Sequence, residues 1–112
     1  MARARKVILL ILDSVGVGAM PDAAEFLDTG ANTLGNTAAH CGGLNLPVLG
    51  KLGLGNITKV AGVPPDAAAA ASWGRLQEAS AAKDTVTGHW ELAGHISANP
   101  FAIFEEGFPA TI

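Results

Sequence analysis

The sequence has 112 residues, which is the length of a single domain and is sufficient to bury a hydrophobic core. Its formal net charge is −3, and its basic residues cluster only at Arg3, Arg5 and Lys6, so the charge pattern argues against a partner made of nucleic acid. Charged residues make up 15% of the chain, a low share that indicates a surface partly packed against other protein.

The cysteine content and the length of the apolar runs predict the compartment. Cys41 is the single cysteine of the sequence, so an intrachain disulfide is excluded and a reducing compartment is indicated. The apolar run Val7–Leu12 ends at Asp13, and it is much shorter than the roughly 20 residues that a membrane span needs. We therefore expect a soluble, cytoplasmic protein with no membrane partner.

The first predicted element is a buried strand over Val7–Leu12. Its residues are apolar on both faces, as in a central parallel strand that is covered by helices on each side. Asp13 follows directly, at the edge where open α/β sheets bind ligands, and its carboxylate suits a hard cation such as Mg²⁺ or Mn²⁺. An aspartate that closes the strand in an Asx-turn explains the same position. The glycines Gly16 and Gly18 lack the spacing of a dinucleotide-binding loop.

Short helices are predicted over the next forty or so residues. Pro21–Leu27 has the composition of a helical turn, and Asn32 is a candidate N-cap for a helix over Thr33–His40. Pro47–Leu52 has proline early and glycine just past its end, which favours a second helix. Gly53–Ile57 is predicted as a loop.

Two more strands and an apolar terminal segment are predicted after these helices. Trp73–Ala79 alternates in side-chain character, and Asn99–Phe104 is apolar with a β-type composition. The alanine-rich residues 67–71 follow two prolines and fit either a surface loop or a short helix. The three aromatic residues Phe101, Phe104 and Phe108 offer an apolar surface for contact with other protein.

The stretch Lys83–Glu91 concentrates the chemistry of the chain. A helix over Val86–Leu92 places Thr85 at a helix N-terminus, where free N–H groups and the helix dipole favour an anion such as phosphate. His89 then lies one turn away on the same face. The alternative is structural: Asp84 or Thr85 caps the helix and the other charges are solvated. Spacing alone leaves both interpretations open.

Several of these motifs, in this order, resemble phosphopentomutases, a family of the alkaline phosphatase superfamily. The match covers essentially the whole chain, and the block Thr85–Glu91 is its most specific part. The residues that carry it are Val7–Gly18, Pro21–Ala23, Asn32–Asn36, Leu52–Ile57, Lys83–Glu91, Pro100–Phe101 and Phe104–Pro109.

This resemblance implies a fold and an activity. The expected fold class is α/β, the N-terminal part of an alkaline-phosphatase-like core with a mainly parallel sheet flanked by helices and with the cap domain largely absent. The expected activity is the interconversion of ribose or deoxyribose 1-phosphate with the 5-phosphate. The family uses two Mn²⁺ ions, with Mg²⁺ as a possible substitute, and a sugar 1,5-bisphosphate as intermediate and activator.

The resemblance also implies residue roles. Thr85 is expected to be the catalytic residue that accepts and returns the phosphoryl group, and Asp13 and Thr85 are expected to be metal ligands. Lys83, Asp84 and His89 are weaker candidates for contact with the substrate. A metal that lowers the proton affinity of a threonine hydroxyl makes it a competent nucleophile, which is consistent with these roles.

The resemblance is to part of a longer enzyme. The family's other metal ligands come from a later part of the core, and His40, His89 and His95 do not match them. Residues 1–112 are therefore expected to be an N-terminal segment of the core domain that ends near the start of the cap domain, inactive without the remainder of the same polypeptide. The alternatives are a cofactor-independent phosphoglycerate mutase-like enzyme and a non-catalytic interaction domain.

Overall fold

The computed structural model describes residues 6–104 and 106–110. Within these ranges it has a 3₁₀ turn and four α-helices: the turn Ala23–Phe26, α1 (Thr33–His40), α2 (Pro47–Lys51), α3 (Leu54–Ile57) and α4 (Thr85–Leu92). The chain divides into two compact units, Met1–Arg75 and Leu76–Ile112. Two residues of the predicted basic cluster, Arg3 and Arg5, lie outside the described residues, and Lys6 is exposed.

None of the helices in the described part of the chain combines the length and the apolar composition that crossing a bilayer requires.

The predicted parallel sheet is wrong for the chain as the structure describes it. Across residues 6–104 and 106–110 the β-structure amounts to one isolated antiparallel bridge between Val60 and Val63. The three segments predicted as strands, at Val7–Leu12, Trp73–Ala79 and Asn99–Phe104, are irregular. The α/β class with a mainly parallel sheet is therefore replaced by short helices joined by irregular segments.

The physical reason is that a strand is stabilised by neighbouring strands and not by its own sequence. Backbone N–H and C=O groups of an extended segment need ladder partners, and the described residues supply none to Val7–Leu12. All six of its side chains are exposed, from 41% at Ile11 to 90% at Val7 and Ile8. The run has the composition of a buried strand, but no part of the described chain covers it.

The hydrophobic core of the first unit lies between α1, α3 and the bridge. Ala38 from α1, Leu54 from α3, and Val60 and Val63 from the bridge are all buried and in contact. Partly buried apolar side chains surround this group: Val17, Leu34, Leu44, Leu46 and Leu49. This core is small, so hydrogen bonds of side chains to the backbone have a correspondingly larger part in fixing the loops.

Helix α1 matches its predicted bounds and cap. The Asn32 side chain accepts a hydrogen bond from the Gly35 N–H at 2.9 Å, which satisfies one of the free amides at the start of the helix. The 3₁₀ turn Ala23–Phe26 confirms the predicted helical turn before it. These elements are specified locally, which is why the sequence predicts them well.

Helix α2 was predicted from the sequence, whereas α3 lies in a segment that was predicted as a loop. Pro47 begins α2, where its missing N–H is not needed. The segment predicted as the loop Gly53–Ile57 instead contains the helical turn α3. A Cβ atom at Gly55 would lie 2.3 Å from the Pro64 carbonyl oxygen. The turn therefore depends on a close backbone contact with a segment nine residues further on, which local sequence patterns do not reveal.

The alanine-rich segment after the prolines is a loop, one of its two predicted forms. The Asn56 side chain holds its start, because its Nδ2 donates to the Asp66 carbonyl at 2.7 Å and its Oδ1 accepts from the Asp66 N–H at 2.9 Å. Asp66 Oδ1 in turn accepts from the Ala68 N–H at 2.8 Å. Further along, the Arg75 guanidinium donates to the Ile57 carbonyl, at 2.8 Å from Nε.

The second unit consists of α4 with irregular segments before and after it. On one side of the helix Trp90 contacts His95 and Phe101 edge-on, with ring centroids 5.7 and 5.8 Å apart. Phe104 and Phe108 pack on each other with centroids 5.1 Å apart. The aromatic residues predicted as a contact surface therefore pair partly among themselves, although Phe101 and Phe108 remain 51% and 76% exposed.

Candidate functional site

The start of helix α4 is closed by the Asp84 side chain. Asp84 Oδ1 accepts from the Thr87 N–H at 2.9 Å, and Asp84 Oδ2 accepts from the Thr87 hydroxyl at 2.7 Å. These two bonds from Thr87, and a further one from the Val86 N–H, hold the pKa of the Asp84 carboxyl below its ordinary value, because each favours the charged form. The capping alternative is thus realised by Asp84.

The two threonines at the start of α4 have opposite environments. Thr87 is fully buried, and its hydroxyl is used by the cap. Thr85 is exposed at the first helical position, and none of the hydrogen bonds among the described residues involves its hydroxyl. Of the two, Thr85 is therefore the one whose hydroxyl is accessible to a substrate.

His89 lies one turn after Thr85, as the spacing predicts. Its Nδ1 lies 2.7 Å from the Thr85 carbonyl oxygen. Because a carbonyl oxygen only accepts, Nδ1 is the donor in this hydrogen bond. His89 and Thr85 are both exposed.

Lys83 forms an ion pair just before the helix. Its Nζ lies 3.4 Å from Glu78 Oε2, and both side chains are about one-fifth exposed (21% and 22%). The ammonium group of Lys83, a candidate substrate contact, therefore lies beside the Glu78 carboxylate.

The sequence did not single out Glu91, whose carboxylate accepts three hydrogen bonds. Its Oε1 accepts from the Ala79 N–H at 2.8 Å, and its Oε2 accepts from both the N–H and the hydroxyl of Ser80. The Ser80 hydroxyl first, and then the Ala79 amide, hold the pKa of the Glu91 carboxyl below its ordinary value. No spacing rule joins residues eleven apart in an irregular segment, so the sequence offers no signal for this contact.

Asp13 belongs to the first unit and is exposed, in a loop that packs on the start of α1. Thr33 Oγ1 accepts from the Gly16 N–H at 3.1 Å and donates to the Ser14 carbonyl at 3.4 Å. The Leu34 N–H donates to the Gly16 carbonyl at 3.2 Å. The N-terminus of α1 therefore lies against the loop that carries Asp13.

The described residues do not form a metal site on their own. They bring together no group of three or more His, Cys, Asp or Glu side chains. Asp13 is a single carboxylate, and a two-metal site requires several protein ligands for each ion. The donor set in this part of the polypeptide is therefore at most one portion of such a site.

Comparison with known proteins identifies close relatives of the chain. A phosphopentomutase of Symbiobacterium thermophilum is 54% identical over 109 residues, which cover 97% of this chain and 28% of that protein. Phosphopentomutases of Syntrophotalea carbinolica and Dictyoglomus turgidum are 53% and 49% identical over 108 residues, which cover 96% of this chain. No family model matches the sequence.

These relatives are enzymes, and identity near one-half over almost the whole chain places it in their family. The chain belongs to the phosphopentomutase family. It spans a little over a quarter of the length of these relatives, which agrees with the expectation of a segment of a longer polypeptide.

Proposed function

We propose that the whole polypeptide containing this chain is a phosphopentomutase that interconverts ribose or deoxyribose 1-phosphate and the corresponding 5-phosphate. The observation that carries this proposal is the identity of about one-half to phosphopentomutases over 96–97% of the chain. Because the chain covers 28% of those relatives, the activity is proposed for the whole polypeptide and not for these 112 residues alone.

The phosphoryl carrier in this proposal is Thr85. Phosphorylated Thr85 gives its phosphoryl group to the free hydroxyl of the sugar monophosphate. The threonine O–P bond breaks, a sugar O–P bond forms, and the sugar hydroxyl proton ends on the threonine oxygen. The resulting 1,5-bisphosphate returns its other phosphoryl group to Thr85, and the proton passes back to the released sugar hydroxyl. The accessible hydroxyl of Thr85, beside a Thr87 hydroxyl that is used for capping, supports this assignment.

The helix N-terminus contributes electrostatically to the same step. A phosphoryl group on Thr85 lies at the first turn of α4, where the helix dipole favours negative charge. The Asp84 carboxylate beside it opposes that charge, so further cationic groups are needed. Lys83 and His89 remain proposed substrate contacts, whereas the hydrogen bonds of Asp84 support a capping role.

We extend the proposal to a metal cofactor with manganese as the favoured ion and magnesium as the alternative. Asp13, and Thr85 in its carrier role, would contribute oxygen ligands, and the other ligands would come from the remainder of the polypeptide. Oxygen donors suit both ions. Because residues 1–112 contain a single cysteine and the proposed substrate is a pentose phosphate, the protein is further proposed to act in the cytoplasm.

The test compares variants of the full-length protein with ribose 1-phosphate as substrate and formation of ribose 5-phosphate as readout. Thr85→Val removes the hydroxyl with little change in shape and should abolish turnover and phosphothreonine in the peptide that spans residues 84–91. Thr29→Val makes the same change at an exposed turn and should retain full activity. Full turnover by Thr85→Val would exclude Thr85 as the carrier.

The alternatives are separated by substrate and by chain length. A phosphoglycerate mutase-like enzyme would act on phosphoglycerates and not on pentose phosphates in the same assay. The 112-residue chain alone should show no turnover with Mn²⁺ and ribose 1-phosphate, and clear activity would refute the proposed need for the remaining polypeptide. A non-catalytic interaction domain predicts that the full-length protein is inactive on both substrates.

A further inference from the structure

Helix α4 is too short to be stable by itself, so what holds it is important for where Thr85 lies. It has eight residues, and isolated helices below about 12–15 residues are marginal in water. Its first turn is fixed by the Asp84 cap and the buried Thr87. The second turn requires a separate attachment, because the cap bonds act only on the first free amides.

The Glu91 carboxylate provides that attachment to the segment before the helix. Its two oxygens accept three hydrogen bonds, from the Ala79 N–H and from the N–H and hydroxyl of Ser80. A charged acceptor makes stronger hydrogen bonds than a neutral one, and here all three donors converge on one side chain.

Ser80 extends the same attachment to the segment after the helix. It is 5% exposed, and its hydroxyl accepts from the Ser97 N–H at 3.2 Å while donating to Glu91. The Ala81 N–H donates to the Ser97 carbonyl at 3.0 Å. The Glu91 carboxylate thus joins the helix to the segment before it, and Ser80 joins that segment to the one after the helix; we call Glu91, Ser80 and Ser97 the clamp.

We infer that Glu91 is a positioning residue for phosphoryl transfer, which acts through the clamp by fixing the helix that carries Thr85. The inference rests on the proposed function. Glu91 follows Thr85 by six residues, roughly 9 Å along the helix at ~1.5 Å per residue, so its effect is on placement of the helix and not on the reacting atoms. A misplacement of about 1 Å at a reacting group can lower a rate by ~100-fold, which sets the expected scale.

The test uses Glu91→Gln in the full-length protein, with Glu25→Gln as the matched control. Glutamine keeps the shape of the side chain but removes its charge and one acceptor oxygen, and Glu25 is exposed in the 3₁₀ turn. We expect Glu91→Gln to lower kcat by about 10- to 100-fold with KM for ribose 1-phosphate unchanged within about twofold. Hydrogen exchange at the Ala79 and Ser80 amides should accelerate in parallel, and Glu25→Gln should match the wild type in all three readouts.

The double variant Glu91→Gln/Ser80→Ala tests whether the two residues act as one unit. Its kcat should be no lower than that of the more damaging single variant, because both changes break the bond between the Ser80 hydroxyl and the Glu91 carboxylate on which the clamp depends. Multiplicative losses would show independent effects and overturn the clamp as the mechanism. Faster exchange with an unchanged kcat would make the clamp structural only, and a loss confined to KM would assign Glu91 to substrate binding; either result overturns the inference.

The activity of the wild-type protein tests the proposed function separately from the positioning role of Glu91. If the wild-type protein does not convert ribose 1-phosphate, the proposed function fails, and the positioning role fails with it. If the wild type is active and Glu91→Gln has the same kcat, the positioning role alone is refuted. A Glu91→Gln protein with wild-type circular dichroism excludes global unfolding as the cause of a lost activity.

Discussion

The Thr87 side chain donates its hydroxyl proton to Asp84 Oδ2 over 2.7 Å while the Thr87 backbone N–H donates to Asp84 Oδ1 over 2.9 Å. The pair closes the start of α4 with both oxygens of one carboxylate. As a result, two threonines that are two residues apart in the sequence have different tasks. Thr87 is buried and structural, whereas Thr85 presents an accessible hydroxyl.

The first prediction concerns the buried threonine. Thr87→Val keeps the volume but removes the hydroxyl donor to Asp84, and we expect it to lower the free energy of unfolding by about 1 kcal/mol. Thr87→Ser leaves a small void in place of the methyl group, but it keeps the hydroxyl and should therefore retain the cap geometry. Denaturant unfolding of both variants gives the comparison. Equal stability of Thr87→Val and wild type would show that the hydroxyl contributes nothing to the cap.

The second prediction is a dependence of stability on pH. Asp84 and Glu91 both have a pKa below the ordinary value in the folded chain. The stabilisation that their hydrogen bonds give the folded state is therefore fully present above the pKa of the unfolded groups, near pH 4. The stabilisation is lost as the pH falls through the lowered folded-state values. Thermal unfolding should therefore show a gap between wild type and Glu91→Gln at pH 7 that narrows steadily below about pH 4. A gap that stays constant down to pH 3 would contradict this origin.

The third prediction tests the close contact that forms α3. Gly55→Ala places a methyl group 2.3 Å from the Pro64 carbonyl oxygen and 2.7 Å from that of Val63, so the backbone must move. We expect a loss of about 1–3 kcal/mol in the free energy of unfolding, the usual scale for overpacking. Gly74→Ala is the control, because a Cβ atom there meets nothing within 4 Å. Chemical denaturation should rank Gly55→Ala well below Gly74→Ala, and the reverse order would disprove the contact.

The fourth prediction concerns the loop that carries Asp13. Thr33→Val removes a hydroxyl that accepts from the Gly16 N–H and donates to the Ser14 carbonyl, whereas Thr33→Ser keeps it. Hydrogen exchange at the Gly16 amide should become faster in the valine variant and remain near wild type in the serine variant. Unchanged exchange in Thr33→Val would mean that the Leu34 contact alone holds the loop.

Local sequence signals predicted the helices, because their determinants are a few residues apart. Asn32 before Thr33–His40, proline at the start of α2, and Asp84 before Thr85 are caps and starts that act within one turn. The turn α3 escaped prediction since glycines on both sides of Leu54 favour a loop, and the fold of that segment depends on its contact with Pro64. A helix of four residues also has too little periodicity to be detected.

The sheet and the clamp both depend on residues that are far apart in the chain. The sheet was predicted wrongly, and the role of Glu91 in the clamp was not predicted at all. The run Val7–Leu12 has strand composition, but pairing requires a neighbouring strand, and the described residues contain none. For the site, sequence reasoning placed Thr85 at the helix start and Asp84 as a capping candidate. It missed Glu91 as a functional residue, because the side chain finds its donors at Ala79 and Ser80 in a segment without regular spacing.

The contacts of Gly16 with Thr33 and Leu34 join two points that lie 17 and 18 residues apart in the chain. The segment between them is a loop whose two ends are in contact, and its turn at Thr29 and Gly30 is exposed. The entropic cost of a longer excursion rises only logarithmically, by ~0.6 kcal/mol for a doubling in length. A peptide tag or a reporter sequence inserted at this turn would therefore lengthen the excursion while the anchors at its base keep the carboxylate-bearing loop and α1 in register.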